Sequence, residues 1–128
     1  MKKRKVLFVD DEVFILKIYK KAFEKKGYEV DTAETAEDAL MILKNEEYPV
    51  MFFDIVLPGM NGIDLFKEVI KIYPDSFIYA VTGYPTQFER QGCLAVGFTD
   101  YFAKPVDLKK LLKAAEDGFR GEKEDIEK

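Results

Sequence analysis

The residues of this chain that could do chemistry together all follow short apolar runs. An acidic triplet, Asp10-Asp11-Glu12, comes directly after Val6-Leu7-Phe8-Val9. Another acid, Asp54, comes directly after Val50-Met51-Phe52-Phe53. Thr82-Gly83 ends the run from Phe77 to Val81, and Lys104-Pro105 follows Tyr101-Phe102-Ala103. Carboxylates brought together where water is scarce repel each other strongly, so something cationic must offset them. Lys104 can supply one charge and a divalent ion a second. The chain has no histidine, so the ligands would be oxygens and the ion hard. Mg2+ is the expected cofactor, because it accepts one or two carboxylates and keeps its waters.

Each signal has an ordinary explanation when taken alone. An acidic triplet after a strand is usually a solvated turn, or a helix N-terminus that favours negative charge. A threonine in a strand usually pairs with backbone, and Lys-Pro is a common dipeptide. The weight lies in their joint placement, which depends on the elements that carry them.

Those elements alternate. The short continuous apolar runs suit strands buried on both faces. After the first, Ile15, Ile18, Tyr19, Ala22 and Phe23 recur at helical spacing, and Gly27 is a stop. Tyr28, Val30 and Thr32 alternate as a second strand. Thr35 can cap a helix carrying Ala39, Leu40, Ile42 and Leu43. Pro58-Gly59 and Asn61-Gly62 mark a loop, and Leu65, Phe66, Val69, Ile70 and Tyr73 a third helix. Residues Thr86 to Val96 form the weakest helix, with poor periodicity and Gly92 inside it. Leu108, Leu111, Leu112, Ala115 and Phe119 line the last helix. Residues 1–120 are expected to form the domain, and 121–128 a polar tail or linker stub.

Five strands alternating with five helices predict an α/β fold: a single doubly wound parallel sheet, covered by helices on both faces. The expected order is the flavodoxin-like 2-1-3-4-5, in which ligands sit beyond the carboxyl ends of strands 1 and 3. That rule points to Asp10, Asp11 and Asp54. Thr82 and Lys104 fall on the same edge, whereas strand 2, away from the switch point, contributes nothing.

Composition narrows the function. There are 20 Lys+Arg against 24 Asp+Glu, a net charge of -4, and the pI is near 5.0. That is not the basic footprint of a nucleic-acid binder. Without histidine there is no Ser-His-Asp triad, no His-based metal site and no phosphohistidine on this chain. The single cysteine, Cys93, excludes an intrachain disulfide. No apolar run approaches the ~18 residues of a membrane span, and the basic start, Lys2-Lys3-Arg4-Lys5, lacks the apolar stretch of a signal peptide. The expected location is cytoplasmic.

Taken in order and spacing, Val9-Asp10-Asp11-Glu12, Phe53-Asp54-Ile55-Val56-Leu57-Pro58-Gly59-Met60-Asn61-Gly62, Thr82-Gly83 and Tyr101-Phe102-Ala103-Lys104-Pro105 resemble the receiver domain of two-component response regulators. The resemblance covers residues 5 to about 119. It departs from the usual pattern only in Asn61, where Asp is commoner, and Gly83, where Ala is also common. It implies a signalling domain that catalyses only its own phosphorylation and dephosphorylation. Asp54 would be the phosphoacceptor. Mg2+ would be held by Asp11 directly, by Asp10 mainly through water, by Asp54 and by the backbone carbonyl of Val56. Thr82 and Lys104 would meet the phosphoryl oxygens, the peptide before Pro105 would be cis, and Tyr101 would be an aromatic switch that turns inward with Thr82.

The implied donor is a histidine kinase or phosphotransfer protein. The implied output is a protein partner, a fused domain or a phosphorylation-dependent dimer, working through helix 4, strand 5 and helix 5. Leu16 lies off the first helix's stripe, so it is expected to be exposed beside the pocket, on the face where a kinase docks. Val56 and Tyr84 flank the path of a water attacking the phosphoryl group, and are expected to lengthen its lifetime. Rival readings fit less well. A haloacid-dehalogenase-type phosphohydrolase needs an acid two residues after its nucleophile, where this chain has Val56. A flavodoxin-like cofactor carrier needs a Ser/Thr/Gly-rich first loop, where this chain has acids that repel phosphate. A phosphorylation-independent interaction module needs none of the acceptor residues, and all are present.

Overall fold

The computed structural model describes the backbone of residues 4–83 and 87–127, with the side chains of residues 4–83 and 89–121. Five strands alternate with five helices: β1 (Lys5–Val9), α1 (Val13–Lys25), β2 (Glu29–Ala33), α2 (Ala36–Leu43), β3 (Val50–Asp54), α3 (Gly62–Ile72), β4 (Phe77–Thr82), α4 (Gln87–Val96), β5 (Asp100–Ala103) and α5 (Leu108–Glu127). The sheet is parallel throughout, in the order β2-β1-β3-β4-β5. This is the expected doubly wound architecture.

Strand parity divides the core into two layers. Leu7, Val9, Met51, Phe53, Ile78 and Ala80 face the layer containing Leu43, Leu65, Val69 and Cys93 of α2, α3 and α4. Val6, Phe8, Val50, Phe52, Tyr79 and Val81 face Leu16, Tyr19, Phe23, Leu111 and Ala115 of α1 and α5. On this second face, register places Phe8 beside Phe52 and Phe52 beside Tyr79. Their rings stack with centroids 4.9 and 5.1 Å apart. Each such pair adds about 0.5–1.5 kcal/mol beyond the area it buries. The Tyr79 hydroxyl donates to the Ala114 carbonyl at 2.7 Å, which pins α5 to the sheet.

The helix ends follow local chemistry. The Thr35 side chain accepts from Asp38 N–H at 3.0 Å and caps α2 as expected. Asn61 caps α3 in the same way, through Asp64 N–H at 2.9 Å. Gly27 closes α1 at φ +87°, where glycine carries no Cβ penalty.

Two expectations need correction. Leu16 is buried, with 4% exposure, whereas Ile18 of the expected stripe is 41% exposed. The helix carries Val13, Phe14, Ile15, Leu16, Ile18 and Tyr19 within two turns, too many apolar residues for one face, so periodicity alone leaves its phase open. Packing selects Leu16, Tyr19 and Phe23. Leu16 therefore cannot be the exposed anchor that the sequence suggested. The last helix also continues to Glu127, through the stretch expected to be a tail from Gly121. Gly118 and Gly121 look like stop signals, but they are places of close approach. A Cβ on Gly118 would lie 2.8 Å from Val50 Cγ2, and one on Gly121 2.7 Å from Phe77 Cζ.

The closest approach sits behind Asp54. Gly62 N–H donates to the Ile55 carbonyl at 2.9 Å, folding the β3–α3 loop back onto the strand end. A Cβ on Gly62 would lie 2.2 Å from the Asp54 carbonyl oxygen and 2.8 Å from Ile55 Cα. Backbone on both sides leaves no cheap relief. Gly62→Ala should destabilise the protein by about 3 kcal/mol. Gly92→Ala, with nothing within 4 Å of its Cβ, should instead be neutral or stabilising by up to ~1 kcal/mol. Urea midpoints of the two variants test the contrast, and equal midpoints would refute it.

Candidate acidic site at the strand ends

The sheet brings the carboxyl ends of β1, β3, β4 and β5 to one edge. Asp10 continues the β1–β2 ladder, its N–H donating to Ala33 O at 3.0 Å. Asp54 is the last residue of β3, and Thr82 the last of β4. Lys104 follows β5, and its N–H donates to the Thr82 carbonyl at 2.7 Å, joining those two strand ends. The Lys104–Pro105 peptide is cis, as expected.

The side chains converge on Lys104. Its ammonium lies 2.7 Å from Asp10 Oδ2, 3.1 Å from Asp54 Oδ2 and 3.4 Å from Glu12 Oε1. The other Asp10 oxygen accepts Glu12 N–H at 2.8 Å, and the other Asp54 oxygen accepts Val56 N–H at 3.0 Å. Asp10, Asp54 and Thr82 are buried, while Asp11 is exposed. Asp10, Asp11 and Asp54 each offer an oxygen, and these lie within 4.8 Å of one another. Both oxygens of Asp10 already have protein partners, so Asp11 is the acid left facing outward. This all-oxygen set, two of its members buried, suits a hard divalent cation, and Mg2+ matches the donor chemistry.

Burial and charge pull on these groups in opposite directions. Burial raises the Asp54 carboxyl above the ordinary carboxylate value; Lys104 works against it, and the Asp10 charge adds to it. Burial alone would lower Lys104, but its hydrogen bond to Asp10 and the charges of Asp10 and Asp54 raise it above the ordinary lysine value. Tyr19 is pushed up to about 12, chiefly by burial; Lys104 opposes this, and Asp10, Asp54 and Glu12 reinforce it.

Asp10, Asp11, Asp54, Thr82 and Lys104 thus share one edge, and Val56, two residues after Asp54, is 48% exposed. Tyr101 differs from expectation. Its ring is already buried, and its hydroxyl bonds Glu89 of α4 at 3.0 Å, so it is not an outward ring awaiting a turn inward. Leu16 lies on the wall of a groove between α1 and α2. Tyr84 and Thr86 lie outside the described residues. Two further residues stand at the site. Glu12 belongs in sequence to an acidic triplet, and a third acid beside Asp10 and Asp11 is itself a signal for a nearby cation. Tyr19 sits on an apolar helical stripe and carries no such signal.

The response regulator receiver domain family model matches residues 6–116. A receiver domain protein (CheY-like) from Methanospirillum hungatei JF-1 is 36% identical, with a TM-score of 0.89 over 96% of this chain and 99% of that one. One from Clostridium thermocellum is 30% identical, with a TM-score of 0.87 over 93% and 96%. Chemotaxis protein CheY4 of Vibrio cholerae is also 30% identical, with a TM-score of 0.85 over 91% and 98%. The chain belongs to the response regulator receiver domain family, and is a signalling domain of two-component systems. Among the described residues, no helix is long and apolar enough to cross a membrane.

The raised Asp54 pKa has a consequence for stability. Below the ordinary carboxylate range Asp54 is protonated in both folded and unfolded chains, and costs nothing. As pH rises through that range the unfolded chain ionises first, and stability falls until folded Asp54 ionises too. Asp54→Asn removes this cost. Without divalent ions, its urea midpoint should exceed that of the parent near neutral pH. The advantage should shrink as pH is lowered below the carboxylate range. A variant less stable than the parent at neutral pH would contradict this reading.

Proposed function

We propose that Asp54 accepts a phosphoryl group from a phosphohistidine on a histidine kinase or phosphotransfer protein. The observation that carries this reading is the buried Asp54 carboxylate held by Lys104 beside two further acids. In the transfer, an Asp54 oxygen attacks phosphorus, an O–P bond forms and the N–P bond breaks. The imidazole leaves with the electron pair and takes up a proton. A carboxylate is a weak nucleophile and the phosphoryl group is anionic, so placement and charge neutralisation matter most.

Each residue then has a task. Val56 N–H and Lys104 hold and orient the Asp54 carboxylate. Lys104 and the Thr82 hydroxyl would meet the arriving phosphoryl oxygens. Asp10, Asp11, Asp54 and the Val56 carbonyl would hold Mg2+, which supplies positive charge against the carboxylates and the phosphoryl oxygens. Tyr101, through Glu89, links the β5 end to α4, and α4, β5 and α5 form the output face. That face would serve a protein partner, a fused output domain or a phosphorylation-dependent dimer. A cytoplasmic location, and no direct nucleic-acid binding by this domain, belong to the same reading.

The test is incubation with a small phosphodonor and Mg2+, read by intact mass and peptide mapping. Acid-labile phosphate should appear on Asp54 and be lost in Asp54→Asn; undiminished labelling of that variant would refute the assignment. In a Mg2+ titration followed by amide shifts, Asp11→Ala should weaken binding more than Asp10→Ala, because both Asp10 oxygens already have protein partners. The reverse order would exchange the two roles.

A further inference from the structure

Glu12 makes a contact that none of the roles above uses. It is the N-cap residue of α1, but its side chain makes no capping hydrogen bond, and the first turn of α1 has no acidic residue. Its carboxylate instead reaches from the β1–α1 loop to Lys104, in the loop after β5, at 3.4 Å. Of the three carboxylates on that ammonium, Asp10 and Asp54 are nearly buried, whereas the Glu12 side chain is 56% exposed. Glu12 is therefore the outermost partner, and the one most easily exchanged.

We propose that Glu12 is a positioning residue for Lys104 that restrains the entry of small anionic phosphodonors. The inference rests on the receiver reading above. A donor approaching Asp54 passes the Glu12 carboxylate, and its oxygens must draw Lys104 away from that partner. Glu12 thus acts twice, as a like charge at the rim and as a competitor for the cation. Both effects should grow with the negative charge of the donor, and salt should weaken them, because the contact is exposed. Exposed ion pairs are weak, so removing one should change the rate by about two- to five-fold.

The experiment uses the full chain with Mg2+ and compares Glu12→Gln, Glu12→Asp and Glu24→Gln. Glu24→Gln is a control that removes the same charge from an exposed position elsewhere on α1. Phosphorylation of Asp54 by dianionic acetyl phosphate should be about two- to five-fold faster in Glu12→Gln. The gain should be smaller with monoanionic phosphoramidate, and should shrink as salt rises. Glu12→Asp keeps the charge but shortens the reach, so it should also be faster than the parent, while Glu24→Gln should match the parent. A Glu12→Gln rate at or below the parent's, or a Glu12→Asp rate equal to it, would overturn the proposal. The Lys104 Nζ resonance, recorded without donor, should move in Glu12→Gln and stay in Glu24→Gln. If the parent takes no phosphate on Asp54 from either donor, the receiver reading fails. The resonance then still decides the contact, and an unmoved signal overturns the positioning role.

Discussion

The site depends on one ammonium among three carboxylates. Asp10 directly follows β1 and Asp54 ends β3, two strands that pair directly, and both acids are nearly removed from water. Two unpaired carboxylates in that position would cost several kcal/mol or take up protons. Lys104 lies within hydrogen-bonding reach of both. Its backbone is tied to the end of β4 by a main-chain bond to Thr82. The arrangement remains short of positive charge, since one cation faces Asp10, Asp54, Glu12 and the nearby Asp11. An excess of acid is unfavourable for stability, but it suits the attraction of a divalent cation.

The sheet tolerates this strain because its load is carried elsewhere. The Phe8–Phe52–Tyr79 stack lies in the middle of the strands, on the face covered by α1 and α5. Fully buried side chains of this size each contribute about 1.5–3 kcal/mol. The strand ends can therefore hold charged groups without deciding whether the chain folds. Gly62 shows the limit of that freedom. It lets the β3–α3 loop pass against the Asp54 carbonyl, a closeness that no side chain permits.

Strand order was legible because strands alternating with helices leave few parallel arrangements, and Asp10, Asp54, Thr82 and Lys104 were legible because each follows or ends an apolar run. The cap at Thr35 was legible for a similarly local reason. What was not legible depended on which of several equivalent faces packs. Helix α1 has more apolar residues than one face can bury, so the burial of Leu16 could not be separated from that of Ile18 without the sheet. Gly118 and Gly121 carry a helix-breaking propensity, yet α5 runs through them, because their missing side chains let it approach Val50 and Phe77. The Glu12–Lys104 and Tyr101–Glu89 contacts join residues from separate elements, and no periodicity reports such pairs.

The same contrast between core and rim bears on how a change at Asp54 could leave the site. Lys104 is bonded to the end of β4 through Thr82, and stands three residues after Tyr101, whose hydroxyl reaches Glu89 on α4. The elements along this route are not equally held. Helix α3 buries Leu65, Phe66 and Val69, each contributing about 1.5–3 kcal/mol. Among the described side chains of α4, residues 89–96, Cys93 is the one buried in the core, while Leu94 and Val96 are substantially exposed. Shifting α3 would break apolar packing that the fold needs. Shifting α4 would break far less, and the Tyr101–Glu89 hydrogen bond, with a net worth of about 1 kcal/mol, is then a substantial part of what holds it to β5. A perturbation passed from Asp54 along this route would therefore break far less apolar packing by moving α4 than by moving α3.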